Sequence, residues 1–424
     1  MSALKYWVWL SALKGLSARS KYLLVEHFGG ASELFFATEQ QLKACSGIKP
    51  GDIQILEDKS LAQAMKILEI CEDKNISAVT MQDAGYPQRL INIYDPPAVL
   101  YVIGKLPVID EEAAIAVVGT RDATAYGIKM GMRMGYELTK GGGMVVTGLA
   151  AGVDSAGARG ALRAGGRCVG VLGTAIDVVY PKSNWALFQD VAAVGALVSE
   201  YPPGTPTKPS NFPTRNRIIS GLSVGVTVIE APERSGSLIT ADLAQEQGRD
   251  VFAVPGNADS ENCQGSNDLI RDGAKSVTRG SDILCEYEGL FPSKLRRLSR
   301  EQAQIPQEEE AAEETAGVIE EKRSMSKPET GETFEKLRVP STKKVFDKEK
   351  DMSYIDLEQQ LEKFNENQLK LIAAMTEPSM HIDDIIERSG VDARTALSEM
   401  TMLQIAGAVT QEQGKRFSLN IRKK

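Results

Sequence analysis

Hydrophobic positions change rhythm several times along the chain. Over residues 1–75 they recur at helical spacing, through Leu10, Leu13 and Leu16 and then Tyr22, Leu23, Leu24 and Phe28, punctuated by Gly15 and the pair Gly29–Gly30. The stretch Leu34 to Cys45 and the turn Ser46-Gly47-Ile48-Lys49-Pro50-Gly51 continue that texture, so a small all-α module is expected. From Ala113 strand-length apolar runs take over: Ile115–Val118, Met144–Val146, Cys168–Leu172, Ala196–Val198, Val226–Ile229 and Val251–Val254. Helical stretches separate or follow them at 125–140, 154–165, 183–193, 213–222, 237–247 and 266–274. Continuous Val/Ile/Leu runs alternating with amphipathic helices are what a parallel sheet covered on both faces requires. The expected fold is therefore α/β with a doubly wound sheet, and Pro96-Pro97 with Val99–Ile103 lead into it.

The rhythm fades after that domain. Between Glu301 and Glu329 the chain is rich in Glu, Gln and Ala with few large apolar residues, too few to offset the entropy of ordering. An acidic disordered linker is expected over 295–352. Helical period returns at Leu369, Leu371, Ile372 and Met375, then at Ile382 to Ile386 and Asp392 to Leu403. Two short strands follow, Gly407–Val409 and Arg416–Leu419, around a Gly414-Lys415 turn. Three helices and a β-hairpin make a winged-helix pattern over 355–424. The partition is thus a helical module at 1–75, an α/β domain at 80–291, the linker, and the winged helix.

Charge narrows the partners without naming one. Lys and Arg number 49 against 57 Asp and Glu, a formal charge of −8, and residues 111–291 carry 16 against 20. A basic coat for nucleic acid is excluded, so any polyanion site must be a local row of cations. The five cysteines are scattered without a CxxC pair, which argues against a disulfide framework or cysteine-zinc site and fits a reducing cytosol. No apolar run reaches the ~18 residues of a membrane span, and Met1–Leu10 lacks the basic region and cleavage site of a signal peptide. Both histidines, His27 and His381, lie outside the glycine-rich middle, which leaves no His-dependent triad or His-ligated metal there.

Ligands of open α/β sheets bind beyond the carboxyl ends of the strands. In this chain those ends carry Gly119-Thr120-Arg121, Thr147 to Asp154, Gly173 to Asp177 with Tyr180-Pro181-Lys182, Glu200-Tyr201-Pro202 running on to Arg215-Asn216-Arg217, Glu230-Ala231 with Ser235-Gly236-Ser237 and Thr240, and Pro255-Gly256-Asn257. Helix starts at Thr124 and Ser237 would present unpaired N–H groups and a positive dipole end to an anion. Arg121, Lys182, Arg215 and Arg217 would add fixed cations, and Tyr180, Tyr201 and Phe212 are candidate base-stacking rings. Asp154 and Asp177 read as turn or cap residues. A rim of amides, hydroxyls and arginines suits phosphate. There is neither a GxGxxG with a later ribose-binding acid nor a GxxxxGK[ST], so a nicotinamide site and a P-loop are disfavoured. Gly127, Gly131 and Gly135, spaced by four, read as close helix–sheet packing.

Taken in order, Val118 to Arg121, Thr147 to Asp154, Asp177 to Pro181, Ser199 to Pro202, Phe212 to Ser223, Glu230-Ala231, Ser235 to Ala241 and Pro255 to Asn257 closely resemble the DNA-processing protein A family (DprA/Smf) over roughly 80–290. The helical module, whose turns resemble SAM or helix-hairpin-helix units, and the winged helix also fit members of that family. The resemblance implies an extended Rossmann-like domain that binds single-stranded DNA without sequence preference and loads RecA onto it in natural transformation and recombination. It implies a cytoplasmic homodimer with no cofactor, no metal and no catalysis. Carried onto this chain, it gives the phosphate site to Gly119, Thr120, Arg121, Lys182, Arg215, Asn216, Arg217, Ser235, Gly236, Ser237 and Thr240. Two positions depart from the family: Ala158 stands where members commonly carry His, and Ala175 where they carry Gly.

Two other readings compete. Related Rossmann-like enzymes cleave nucleotide phosphoribosyl bonds, and Asp154 and Glu230 would be the acids here, although Pro255-Gly256-Asn257 lacks that family's second glycine. A ligand-sensing winged-helix regulator fits the architecture but leaves the Arg-Asn-Arg run unexplained. The presumed recognition helix, Asp392 to Leu403, holds Arg394 beside Glu399 and mostly small or apolar residues, so a protein-contact or regulatory role is expected of it.

Overall fold

A computed structural model describes residues 3–296 and, nearer the C-terminus, 366–375, 380–392, 395–396, 399–400, 403–404, 409–412 and 416–419. The linker expected over 295–352 falls almost wholly outside the described residues. The chain divides into two units, Met1–Ser341 and Thr342–Lys424.

The first unit begins with six short helices: α1 (Leu4–Ala12), α2 (Ala18–Phe28), α3 (Ala31–Phe36), α4 (Glu39–Ala44), α5 (Pro50–Leu56) and α6 (Ala62–Asp73). Local chemistry sets their ends. Ser17 caps α2 by accepting from the Ser20 amide, and Gly29 ends that helix in the left-handed conformation. The module is fastened to the rest of the unit by polar contacts. Ser11 Oγ lies 2.7 Å from the Tyr101 hydroxyl, and Lys74 Nζ is 3.1 Å from Asp177 Oδ2. Lys21 donates to the Ser11 carbonyl at 2.8 Å, and burial pushes its ammonium down to about 8, against the opposing pull of Glu200.

A nine-stranded sheet follows, built from β1 (Ser77–Thr80), β2 (Val99–Gly104), β3 (Ala114–Val118), β4 (Met144–Thr147), β5 (Cys168–Val171), β6 (Ala196–Ser199), β7 (Gly225–Val228), β8 (Asp250–Ala253) and β9 (Lys275–Ser276). The order is β1-β2-β6-β5-β4-β3-β7-β8-β9. β3 to β9 are parallel, while β1 and β2 add an antiparallel edge beside β6. The chain reverses direction across the sheet between β3 and β7, which makes the crevice beside them the expected ligand position.

Helices cover both faces. On one lie α8 (Ala125–Lys140), α9 (Val153–Arg163) and α10 (Trp185–Val194), whose Met134, Ala158, Phe188 and Val191 share a core with Ile115, Val117 and the N-terminal module. On the other lie α7 (Gln88–Ile91), α11 (Asn211–Leu222) and α12 (Gly236–Glu246), which pack Leu90, Ile218, Ile219 and Ala244 against Ala114, Ala116 and Val118. Successive residues of β3 thus feed opposite cores, as a pleated strand buried on both sides must. α13 (Gln264–Arg271) and α14 (Gly280–Leu284) complete the unit. The doubly wound α/β reading stands, with the two antiparallel edge strands extending it.

The Gly127/Gly131/Gly135 reading needs correction. A Cβ on Gly135 would strike the backbone of Gly157, and one on Gly131 would lie 3.3 Å from Ala156 Cβ, so these two seat α8 on α9 rather than on the sheet, while Gly127 lies against Glu230, just beyond β7. Ala158, the departure from the family, is fully buried in the same core.

The second unit holds α15 (Glu366–Ala374), α16 (Ile382–Ser389) and a three-stranded sheet of order β10 (Met380–His381), β12 (Arg416–Leu419), β11 (Val409–Glu412). Leu371, Ile385, Ala396, Met400, Leu403 and Phe417 form its core. Helices against a β-hairpin make the winged-helix fold. Much of Asp392–Leu403, Arg394 included, lies outside the described residues. Among the described residues no helix is long and apolar enough to cross a membrane.

Candidate nucleic-acid interface

The parallel register brings the six carboxyl-end loops to one edge of the sheet. A cleft of about 100 Å³ opens there, lined by Arg121, Gly148, Thr174, Tyr180, Phe212 and Arg215, among others. Arg121 is exposed, and its guanidinium carbon lies 5.2 Å from the centre of the Phe212 ring. Tyr180 sits 5.2 Å from Phe212, ring to ring, and is 36% exposed, so a cation and two rings share one mouth. No carboxylate is among the residues that line the cleft.

Arg215 forms the floor. It is buried, donates through Nη1 to the carbonyls of Gly148 (2.9 Å) and Val171, and through Nε to Asn216 Oδ1 at 3.2 Å. Burial pushes its guanidinium down to about 10, with the charge of Asp154 opposing. Asp154 in turn accepts from the Gly148 amide at 3.0 Å; burial raises its carboxyl, Arg215 pulling the other way. Glycine at 148 leaves room for this pair, because a Cβ there would lie 2.6 Å from Arg215 Nη2 and 2.7 Å from Asp154 Oδ2 and would push the two side chains aside. Gly152, at φ +76°, is likewise held close, with a Cβ position 2.5 Å from the Arg121 carbonyl. Asp154 therefore organises the 147–154 loop around a buried arginine. Asp177 is also structural, accepting from Lys74 and from the Gly204 amide.

Gly119 and Thr120 lie behind the mouth. The Thr120 amide donates to the Glu230 carbonyl at 2.7 Å, and its side chain is buried. The helix start at Thr124 is not open to an outside anion. Glu230, fully buried, already fills it, its carboxylate accepting from the Thr124 amide at 2.8 Å and from Thr124 Oγ1 at 2.7 Å. That correction has a simple cause: the protein supplies its own carboxylate to the positive helix end. Both acids of the enzyme reading thus serve as internal braces.

The Arg-Asn-Arg run is a buried stretch of α11, not an exposed basic one. Asn216 donates to the Gly236 carbonyl at 3.2 Å and so ties Arg215 to the start of α12. There Ser235, rather than Ser237, is the N-cap, accepting from the Ser237 amide; Gly236 is exposed and Thr240 is 1% exposed. This start lies on the rim but does not line the cleft. Arg217 points elsewhere: its guanidinium meets Glu200 at 2.6 Å and Asp95 at 3.0 Å. Burial works against its charge, but the two carboxylates outweigh it and raise the group. Arg217 is consumed in that network and is set aside as a phosphate contact. Tyr201 is absent from the cleft lining, and burial with the nearby Glu200 charge pushes its phenol up. Lys182, half-buried, follows the cleft residue Pro181.

Two residues escaped the sequence reading. Asn184, buried, donates to the carbonyls of Leu149 (2.9 Å) and Ala150 (3.4 Å) and to Ser155 Oγ (2.8 Å), fixing the loop opposite Phe212. Trp185, next in sequence, is 40% exposed at the first position of α10. Helical side chains lean toward the N-terminus, here the rim. Trp185 does not itself line the cleft; in the sequence the signal was a large ring at the start of the helix that follows Tyr180-Pro181-Lys182.

Residues 77–288 match the family model of DNA recombination-mediator protein A, and 358–415 match that of the DprA winged helix domain. The chain is 32% identical to Protein Smf of Synechocystis sp. over 97% of its own length and 98% of that protein's. It is 40% identical to the DNA processing protein DprA of Bacillus subtilis, over 52% of this chain and 74% of the relative. In structure it resembles DNA processing protein A of Streptococcus pneumoniae, with a TM-score of 0.60 at 34% identity, covering 68% of this chain and 99% of that one. With its buried Arg215 floor, its rim of loops and its winged helix, the chain belongs to the DprA/Smf family of DNA recombination mediators.

Proposed function

We propose that the cleft and its rim grip the backbone of single-stranded DNA without reading sequence and without catalysis. The carrying observation is the composition of the mouth: Arg121 over Phe212, Tyr180 beside it, Arg215 beneath, and no lining carboxylate. A polyanion whose bases are free to stack matches that mixture, because rings accept any base face while the cation takes phosphate. Gly119 and Thr120 shape the turn that presents Arg121. Lys182 and the Ser235-Gly236-Ser237 helix start extend the polar rim on either side, with Asn216 and Thr240 holding that start in place. Paired bases stay stacked inside a duplex and are closed to the rings, so single strands are preferred.

A few phosphate contacts give modest affinity, each adding ~0.7 to the log–log salt slope on a single strand. Two copies on one strand would gain by avidity, and this reading takes the protein as a homodimer acting in the cytoplasm. Following the family resemblance, the bound strand is handed to RecA during recombination. Binding to poly-dT and to duplex DNA across salt, with AMP hydrolysis assayed on the same samples, tests this. Single-strand preference without base release is expected. Equal binding to both forms, or AMP turnover abolished by Asp154→Ala, would overturn it. Nucleation of RecA on poly-dT in the presence of the protein tests the hand-over.

A further inference from the structure

The rim has a further segment, from outside the parallel strands. β2 runs antiparallel to β6, so the chain enters β2 at the edge where β6 leaves the sheet. Tyr101 pairs with Ser199, and Thr80, at the end of β1, pairs with Val99. The loop 81–98 therefore joins the six carboxyl-end loops. In it Tyr94 is 73% exposed. Arg19, from α2 of the N-terminal module, holds it: the guanidinium carbon lies 4.5 Å from the Tyr94 ring centre and 5.3 Å from that of Tyr22. Arg19 Nη1 also donates to the Tyr94 carbonyl at 2.8 Å. Of the carboxylates around it, Asp95 and Glu200 are engaged by Arg217 and Asp83 accepts from the Thr80 amide at 2.7 Å, so these oppose a phosphate weakly; Glu26, one turn along α2, accepts from the Tyr22 hydroxyl at 3.5 Å.

Four strand spacings, β3 to β4, β5, β6 and β2, separate the Arg121 loop from this one. At ~4.8 Å per spacing the two lie about 19 Å apart along the rim. At ~3.4 Å per nucleotide of a stacked strand, that is about six nucleotides.

We propose that Arg19 and Tyr94 form a second cation-and-ring platform for the same DNA strand that the Arg121–Phe212 mouth holds, which makes the N-terminal helical module part of the DNA-binding site. The inference rests on the function proposed above. A tyrosine serving only to glue the module to the sheet would bury its ring; this ring faces solvent and is held in place by a guanidinium. The chemistry repeats that of the mouth, a cation stacked on an aromatic face at the same sheet edge.

The test uses the full chain and fluorescence anisotropy with labelled dT tetramer and dT 20-mer. Tyr94→Ala is expected to weaken 20-mer binding about five-fold or more while leaving the tetramer unchanged and the salt slope intact. Tyr94→Phe retains the platform and binds as wild type. Arg19→Ala weakens the 20-mer and lowers its salt slope by ~0.7. Wild-type 20-mer binding by both alanine variants would overturn the proposal. So would equal weakening on the two oligonucleotides, which would trace the effect to Asp95–Arg217 and the cleft. Arg121→Ala separates the two claims: if it binds both lengths normally, the cleft reading fails, whatever Tyr94 does.

Discussion

Glu230 holds the first turn of helix α8 by the amide and hydroxyl of Thr124, at 2.8 and 2.7 Å. A carboxylate so engaged and fully buried braces the switch point of the sheet. Glu230→Ala should therefore lower unfolding free energy by about 1–3 kcal/mol. Urea denaturation reads that change. The same variant, at a temperature where it stays folded, should keep its DNA affinity within about two-fold, because the Glu230 carboxylate does not line the cleft.

Arg215 and Asp154 meet across Gly148 and balance each other's buried charge. Arg215→Ala leaves Asp154 without its partner and should cost about 3–5 kcal/mol of stability. Arg121→Ala, at an exposed position, should change stability by less than about 0.5 kcal/mol. Denaturant melts of the two variants side by side separate the floor of the cleft from its mouth.

Trp185 offers a reporter. Trp7 and Trp9 are each 3% exposed, whereas Trp185 is 40% exposed at the rim. Binding of dT oligonucleotides should quench the intrinsic fluorescence, and Trp185→Phe should abolish most of the change. Full quenching in that variant would move the strand away from α10.

Stability should respond to alkali through Lys21. The folded chain sheds this proton near pH 8, while an unfolded lysine keeps it to about pH 10.5. Between those values the unfolded state binds more protons, so unfolding free energy rises with pH, by up to about 1.4 kcal/mol per unit. Thermal melts from pH 7.5 to 10 should show the rise, and Lys21→Met should flatten it.

Six of the seven parallel strands, β3 to β8, and their loops were legible in the sequence because a strand buried on both faces must be an unbroken apolar run; β9, Lys275–Ser276, is two exposed residues and carries no such run. The helix at 125–140 was legible to the residue. What stayed hidden depended on partners distant in the chain. Arg215 and Arg217 look alike two residues apart, yet Arg215 turns toward Gly148 and Arg217 toward Asp95 and Glu200. The anion site at Thr124 looked vacant because its occupant, Glu230, lies 106 residues away. Loop 81–98 gave no sign that it belongs to the rim, since that follows only from the antiparallel register of β2 on β6.

The central claim, that the Arg121 mouth binds the backbone of a single strand, is tested most directly by poly-dT affinity measured over a range of salt for wild type and Arg121→Ala. The account predicts weaker binding by the variant and a log–log slope shallower by ~0.7, the change expected when one phosphate fewer is neutralised. Equal affinities and parallel slopes would contradict it.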